Sequence, residues 1–349
     1  MRPLSADANI SAPVSGGGKQ SSSFTRFFAS RESSVVIVLV VLGILLAIDP
    51  VRSKFYSQLN LQNLMLQVAL LSIFAIGETV VILTGGIDLS LGSLIAFIGM
   101  MLAFIVTLLD SRMFTGMAVL LAMILALGVA VSIGTLHANL IHRLRLPPFV
   151  VTLAALTILQ SQSLLINHQL PISIEKYEGI KFLANGKLFA DSAFPIPIPV
   201  LILAVVGIVV HLLLSRSRVG RYTYSVGSNE VATELSGVNV FRVKWFAYGT
   251  SALLAGLAGI LYAGYGGQGD PASGRGYELN AVAAAVIGGA NLAGGQGSVG
   301  GTILGACLLR VILSAINLKL STPALWEGSV VGGVLLMAVL TTAFQTRKK

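Results

Sequence analysis

The sequence predicts an all-α polytopic membrane protein, with about ten transmembrane helices, Gly-interrupted segments and a short helix on the cytoplasmic side. Three observations carry this. Of 349 residues, 55% are hydrophobic and only 11% charged, where soluble domains carry about 25% charged residues. The apolar residues fall in runs and not in alternating faces, and the mean hydropathy is +0.86. Basic residues gather between the runs.

A bilayer core of about 30 Å needs roughly 20 mostly apolar residues per helical crossing. Ten segments are read on that basis: 34–48, 64–83, 89–109, 114–140, 149–166, 196–214, 245–265, 279–293, 299–318 and 325–343. They form one transmembrane domain over 34–343, between tails at 1–33 and 344–349. The first tail is Ser/Gly-rich and basic, as a flexible cytoplasmic segment would be. A secretory signal over the tail and Val35 to Ile48 fits less well. Its basic region would be unusually long, and Asp49-Pro50-Val51-Arg52 is no small-residue cleavage site.

Fourteen lysines and arginines lie on the side of both termini and eight on the other, with Arg310 inside a span. The positive-inside rule therefore places both termini in the cytoplasm. The net charge of +9 follows the loops and no recognition motif, so no nucleic-acid partner is implied.

Two connections are long. The external loop 167–199 ends in Pro195-Ile196-Pro197-Ile198-Pro199, where missing amide donors disfavour helix until after Pro199. The cytoplasmic loop 215–244 holds a short helix, with Ser228 or Asn229 as N-cap, Glu230 in the first turn and Gly237 as the C′ residue. A helix that short adds little to a bilayer core, and its use is contact with another cytoplasmic molecule.

Val81-Ile82-Leu83-Thr84-Gly85-Gly86-Ile87-Asp88-Leu89 has an echo in Ala285-Val286-Ile287-Gly288-Gly289-Ala290-Asn291-Leu292. Paired Gly-interrupted segments point to broken helices at a transport site, although two ordinary turns in a Gly-rich chain would look alike. Asp88 either caps the next helix beside Ser90 or faces a solute. Glu78 lies inside an apolar span, where a carboxylate is costly and commonly functional; an ion pair with Arg310 would satisfy it. Gly297, Gly301 and Gly305 give two Gly-x3-Gly steps for close helix packing. Gly264 to Gly276, with Gln268, Asp270 and Arg275, could gate or dock.

Chemistry is sparse. Gly18-Lys19 and Gly186-Lys187 are followed by Gln20 and Leu188, so neither completes a P-loop. The four histidines lack i, i+4 pairing, and Cys307 is the lone cysteine. No catalytic group, metal site or cofactor is expected in this chain.

Four motifs, in order, resemble the ribose/xylose/arabinose-type permeases of bacterial ATP-binding-cassette importers. They are Gly85-Gly86-Ile87-Asp88-Leu89-Ser90-Leu91-Gly92-Ser93, Leu146-Pro147-Pro148-Phe149-Val150-Val151-Thr152-Leu153, the stretch from Arg221 to Val238, and Gly294-Gly295-Gln296-Gly297-Ser298-Val299-Gly300-Gly301-Thr302. The resemblance spans roughly Asn60 to Leu340. It departs at Gly289-Ala290-Asn291-Leu292-Ala293, where the family commonly has Ser or Thr and an aromatic.

That resemblance implies a multi-pass permease of the bacterial inner membrane. Its partners would be a second permease copy or paralogue, a cytoplasmic ATP-binding subunit using ATP and Mg, and a periplasmic solute-binding protein. The contact with the ATPase would fall on Arg221, Asn229, Glu230, Ala232, Glu234, Leu235 and Gly237. A sugar is neutral and hydroxyl-rich, so amide and hydroxyl side chains suit its pathway. Candidates are Gln67, Ser90, Ser93, Asn280, Asn291 and Gln296, together with Glu78 and Asp88. An ion-coupled secondary transporter, or a permease for branched-chain amino acids, is the alternative reading.

Overall fold

The computed structural model describes residues 31–347 apart from Ala193. Most of the predicted N-terminal tail and the last two lysines lie outside the described residues. Helices make up nearly all of the rest: α1 (Arg31–Ile48), α2 (Arg52–Phe55), α3 (Gln58–Leu83), α4 (Leu91–Asp110), α5 (Thr115–Arg143), α6 (Pro148–Leu165), α7 (Glu178–Asn185), α8 (Ile198–Arg216), α9 (Arg218–Ser228), α10 (Glu230–Leu235), α11 (Val240–Gly266), α12 (Tyr277–Ile287), α13 (Val299–Lys319) and α14 (Pro323–Arg347). Two small antiparallel pairs join loops: β1 (Ile172–Ser173) with β4 (Gln268–Gly269), and β2 (Lys187–Leu188) with β3 (Ile196–Pro197).

Among the described residues, eight helices are long and apolar enough to cross a membrane: α3, α4, α5, α6, α8, α11, α13 and α14. The all-α polytopic class is as expected, and the ten apolar segments read from the sequence appear as these eight and two shorter apolar helices, α1 and α12. The segment read as 279–293 ends as a helix at Ile287, giving α12 only 11 residues, or about 16 Å. Its continuation looked apolar, but Gly289, Gly294 and Gly295 adopt φ of +96°, +92° and +72°, which close a helix and open a loop. The other shorter apolar helix is α1. Proline is also better tolerated than expected, since α8 begins at Ile198 with Pro199 in its first turn, where the missing amide is no loss.

The centre of the bundle is α3. Every residue from Ala69 to Leu83 is buried, as expected for a helix apolar all round. It packs on α11, whose ends are set by Asn239, accepting from Arg242 N at 3.1 Å, and by Gly267 at φ +68°. On α5, the small residues Ala118, Ala122, Ala126, Ala130, Gly134 and Ala138 recur at helical spacing and are buried. Their small size lets α11 approach, with Gly256 against Ala130 and Gly134 against the Tyr248 carbonyl.

After α11 the chain turns back into the bundle. Gly269 lies against Gly99 and Met100 of α4, and Gly274 against Gly92, about 10 Å nearer the start of that helix. From there α12 starts with Tyr277 stacked on Phe74, ring centroids 6.0 Å apart. The stretch Gly264 to Gly276, read as a gate or a docking surface, is therefore re-entrant.

Beyond α8, Ser217 accepts from Gly220 N at 3.0 Å and starts α9. This helix lies within loop 215–244 ahead of the short one expected there. Together α9 and α10 form a foot on one end of the bundle.

Candidate translocation and coupling sites

At the foot end, the two Gly-interrupted segments meet each other. Gly295 N donates to Leu83 O at 3.0 Å, which ties the loop after α12 to the end of α3. Gly227, near the end of α9, packs on the same carbonyl and amide, while Gly294 packs on Gly227 and Gly85. Tyr224 donates to Gly297 O at 3.0 Å, and burial pushes its phenol pKa up, which keeps the donor protonated. A movement of α9 thus bears directly on both loops.

Inward from this junction sits a polar cluster with no exposed surface. The Asp88 amide donates to both Glu78 carboxylate oxygens at 3.2 Å. The Asp88 carboxylate accepts from Ser90 N at 3.0 Å, Ser90 Oγ at 2.6 Å and Ser251 Oγ at 3.0 Å. Asp88 thereby closes the turn before α4, whose own N-cap, Ser90, makes no side-chain cap bond. Thr152 of α6 donates to Ile87 O at 3.1 Å. Gly77 permits this assembly by letting the Ser251 backbone come close.

The expected Glu78–Arg310 pair does not form. Glu78 is engaged by the Asp88 amide, whereas Arg310 lies in the field of Tyr262 and its Nε and Nη2 have no hydrogen-bond partner. The reason is facing: α13 turns Gly301 and Gly305 toward α12 and Thr302 toward Thr79, with hydroxyls 2.6 Å apart. Gly297 precedes α13, at φ +152°, so only Gly301 and Gly305 belong to the helical small-residue stripe.

A cavity of about 190 Å³ opens where the re-entrant segment meets α4 and α6, lined in part by Ser93, Gln160, Ser273, Arg275 and Glu278. The Glu278 carboxylate lies at the start of α12 and rests over Gly92.

Of the pathway candidates, Glu78, Asp88 and Ser90 come together in the cluster, and Ser93 reaches the cavity. Asn280 is buried on α12 and Gln67 is half-buried on α3. Asn291 and Gln296 sit elsewhere, in the loop beside the foot: Asn291 accepts from Ala293 N at 3.1 Å, and Gln296 is exposed. Sequence reasoning missed Gln160, Ser273 and Glu278, although an amide and a carboxylate in apolar context were visible signals. It also missed Gly227, for which no local signal existed.

The foot presents its apolar side chains to solvent. Asn229 accepts from Ala232 N at 2.9 Å and starts α10, and Gly237 ends it at φ +83°. Val231 is 67% exposed and Leu235 85%. Arg221, Ala232 and Glu234 are also exposed, while Glu230 is held at 2.7 Å by Lys244. A groove of about 590 Å³ runs between α9 and α10, past Tyr222, Ser225, Asn229 and Ala232.

A bundle of apolar spans with broken helices, a polar cavity and an exposed apolar foot defines a membrane permease. The family described as branched-chain amino acid transport system / permease component matches residues 60–340, and the chain belongs to it. It is 34% identical to the ribose import permease protein of Escherichia coli (strain K12), over 91% of this chain and 95% of that one. It is 33% identical to the ribose import permease protein of Bacillus subtilis (strain 168), over 87% and 89%. With the fructose import permease protein of Rhizobium meliloti the identity is 29%, over 90% and 86%. No solved structure matches.

Proposed function

We propose that this chain is the membrane-spanning subunit of an ATP-binding-cassette importer, moving a monosaccharide or similar small polyhydroxylated solute into the cytoplasm. The observation that carries the reading is the foot. Its exposed apolar helix α10 continues from α9, and α9 packs through Gly227 onto Leu83 and Gly295, so a push on the foot reaches both broken segments. Exposed Val231 and Leu235 need a partner surface, and the groove of an ATP-binding subunit supplies it. ATP and Mg act in that partner. The relatives named for ribose and fructose import support a sugar.

In this reading the foot faces the cytoplasm, with both termini on that side of the inner membrane. A second permease copy or paralogue closes the pathway, and a periplasmic solute-binding protein delivers the solute. Transport follows alternating access, with each state of the ATPase favouring one arrangement of the loops at residues 84–90 and 288–298.

The test is reconstitution with an ATP-binding subunit and a solute-binding protein of a sugar importer, reading sugar uptake with and without ATP. ATP-dependent uptake supports the proposal. Uptake that persists without ATP and collapses with an ion gradient overturns it in favour of ion-coupled transport, the reading that the buried Glu78 and Asp88 would favour.

A further inference from the structure

The cavity at the re-entrant segment carries an inference that rests on, and deepens, the reading above. Two independent features meet there. One is its lining, with Arg275 and Glu278 at the tip of the segment, Ser93 in the first turn of α4, Gln160 on α6 and Ser273 between. The other is the exposed side of α6. Thr157, Ser161 and Gln162 are exposed on a helix that is otherwise apolar enough to span. Polar groups within a span face water, a cavity or another protein in preference to lipid. Thr157 and Ser161 thus give α6 a polar edge beside Gln160 and the cavity, on a face that also exposes Leu153, Ile158 and Leu165.

We propose that this cavity is a solute subsite in which Arg275 and Glu278 bind neighbouring hydroxyls of a neutral polyhydroxylated solute. A guanidinium only donates and a carboxylate only accepts, whereas amide and hydroxyl groups do both. One solute hydroxyl accepts from Arg275 while the next donates to Glu278, and Gln160, Ser93 and Ser273 take the remaining hydroxyls. The two charges cancel, so the site carries no net charge that would favour an ionic solute. An amino acid would match the charged pair with its carboxylate and ammonium, but would leave the amide and both serines without partners. The site also reports position: Glu278 lies in the first turn of α12 and Arg275 just before it, and α12 leads through residues 288–298 to the foot, so the subsite opens or closes with the coupling loops.

The test uses cysteine protection in the full chain in proteoliposomes. In a Cys307→Ser background, Ser273→Cys is alkylated by a membrane-impermeant thiol reagent in the presence of D-ribose, D-fructose or L-leucine. A bound sugar slows the reaction by one plus the ratio of its concentration to its dissociation constant, so about tenfold at roughly ten times that constant. Arg275→Gln and Glu278→Gln, each added to this background, shift protection to higher sugar concentration. A control Ser111→Cys, exposed on the opposite end of α4, reacts equally with and without sugar, which shows that sugar does not consume the reagent, and an unchanged thermal unfolding midpoint shows that each variant is folded. Sugars that leave Ser273→Cys reactivity unchanged overturn the subsite, as does protection by leucine alone. Those outcomes are separate from the importer reading, which is decided by whether sugar uptake by the wild-type complex depends on ATP.

Discussion

The Asp88 amide donates to both oxygens of the Glu78 carboxylate, 3.2 Å from each, across the break between α3 and α4. Glu78 is fully buried, so its removal leaves that amide without a partner. An orphaned buried donor costs about 1–3 kcal/mol. Glu78→Ala should lower stability by that amount in denaturant unfolding of the detergent-solubilised chain. Glu78→Gln keeps one carbonyl acceptor and should lose less. Equal losses in both would show that charge, and not the hydrogen bond, is what the site requires.

Gly227 is the tightest point between the foot and the broken segments. An alanine methyl there would run into the Leu83 carbonyl and the Gly295 amide, which are hydrogen-bonded to each other. Gly227→Ala should leave the complex assembled and reduce sugar uptake per ATP hydrolysed. Gly249→Ala is the matched control, because nothing lies within 4 Å of its added methyl. Unchanged uptake in Gly227→Ala would remove the junction from the coupling route.

Leu235 is 85% exposed on α10. Its substitution by Asp should leave thermal unfolding of the isolated chain unchanged, since exposed substitutions away from special features shift stability by only about 0.5 kcal/mol. It should abolish co-purification with the ATPase. Glu230→Lys is a less clean probe, because it would also set two lysines together by breaking the bond from Lys244 to Glu230. Retained co-purification in Leu235→Asp would mean that the ATPase docks elsewhere.

The spans were legible because hydropathy adds up over 20 residues, and Asn229 and Gly237 were legible because caps act locally. Depth was not. Gly288 to Ala293 is as apolar as a span, yet positive φ at Gly289 makes it a loop. Pairing was not legible either, since Glu78 and Arg310 share a depth only if their helices turn those faces together. The motif residues Asn291 and Gln296 looked as polar as Gln160, and only the packing separates the foot from the cavity.

Asp49 and Lys319 join the end of α1 to the end of α13, beside the apolar contact of Leu46 and Phe55 with Val311. The hydrogen bond from Lys319 holds the Asp49 carboxyl below its ordinary 3.8. A lowered folded-state pKa adds stability above the unfolded value, and that contribution is lost as pH falls through the folded one. Asp49→Asn should therefore lower stability at neutral pH, flatten the decline below about pH 4 and converge with the unsubstituted chain in acid. Thermal unfolding from pH 3 to pH 7 reads this, and parallel acid limbs in both proteins would assign the decline to other carboxyls.

Gly305 decides how closely α12 can lie on α13. A methyl at this position would meet the Ala284 carbonyl and the Gly288 amide, and one at Gly301 would meet the Gly288 carbonyl. In lipid no hydrophobic drive holds helices together, so close packing of small residues carries the association. Overpacking a tight contact costs about 1–3 kcal/mol, and Gly305→Leu should lose at least that much in denaturant unfolding. Gly328→Leu on α14 has open space around it and should not. The functional consequence separates packing from mere stability. Because α12 carries Glu278 at one end and leads to the Gly295–Leu83 bond at the other, displacing it should impair uptake even at temperatures where Gly305→Leu remains folded. Full uptake by a folded Gly305→Leu chain would mean that α12 can shift without cost to transport, and would detach the cavity from the coupling loops.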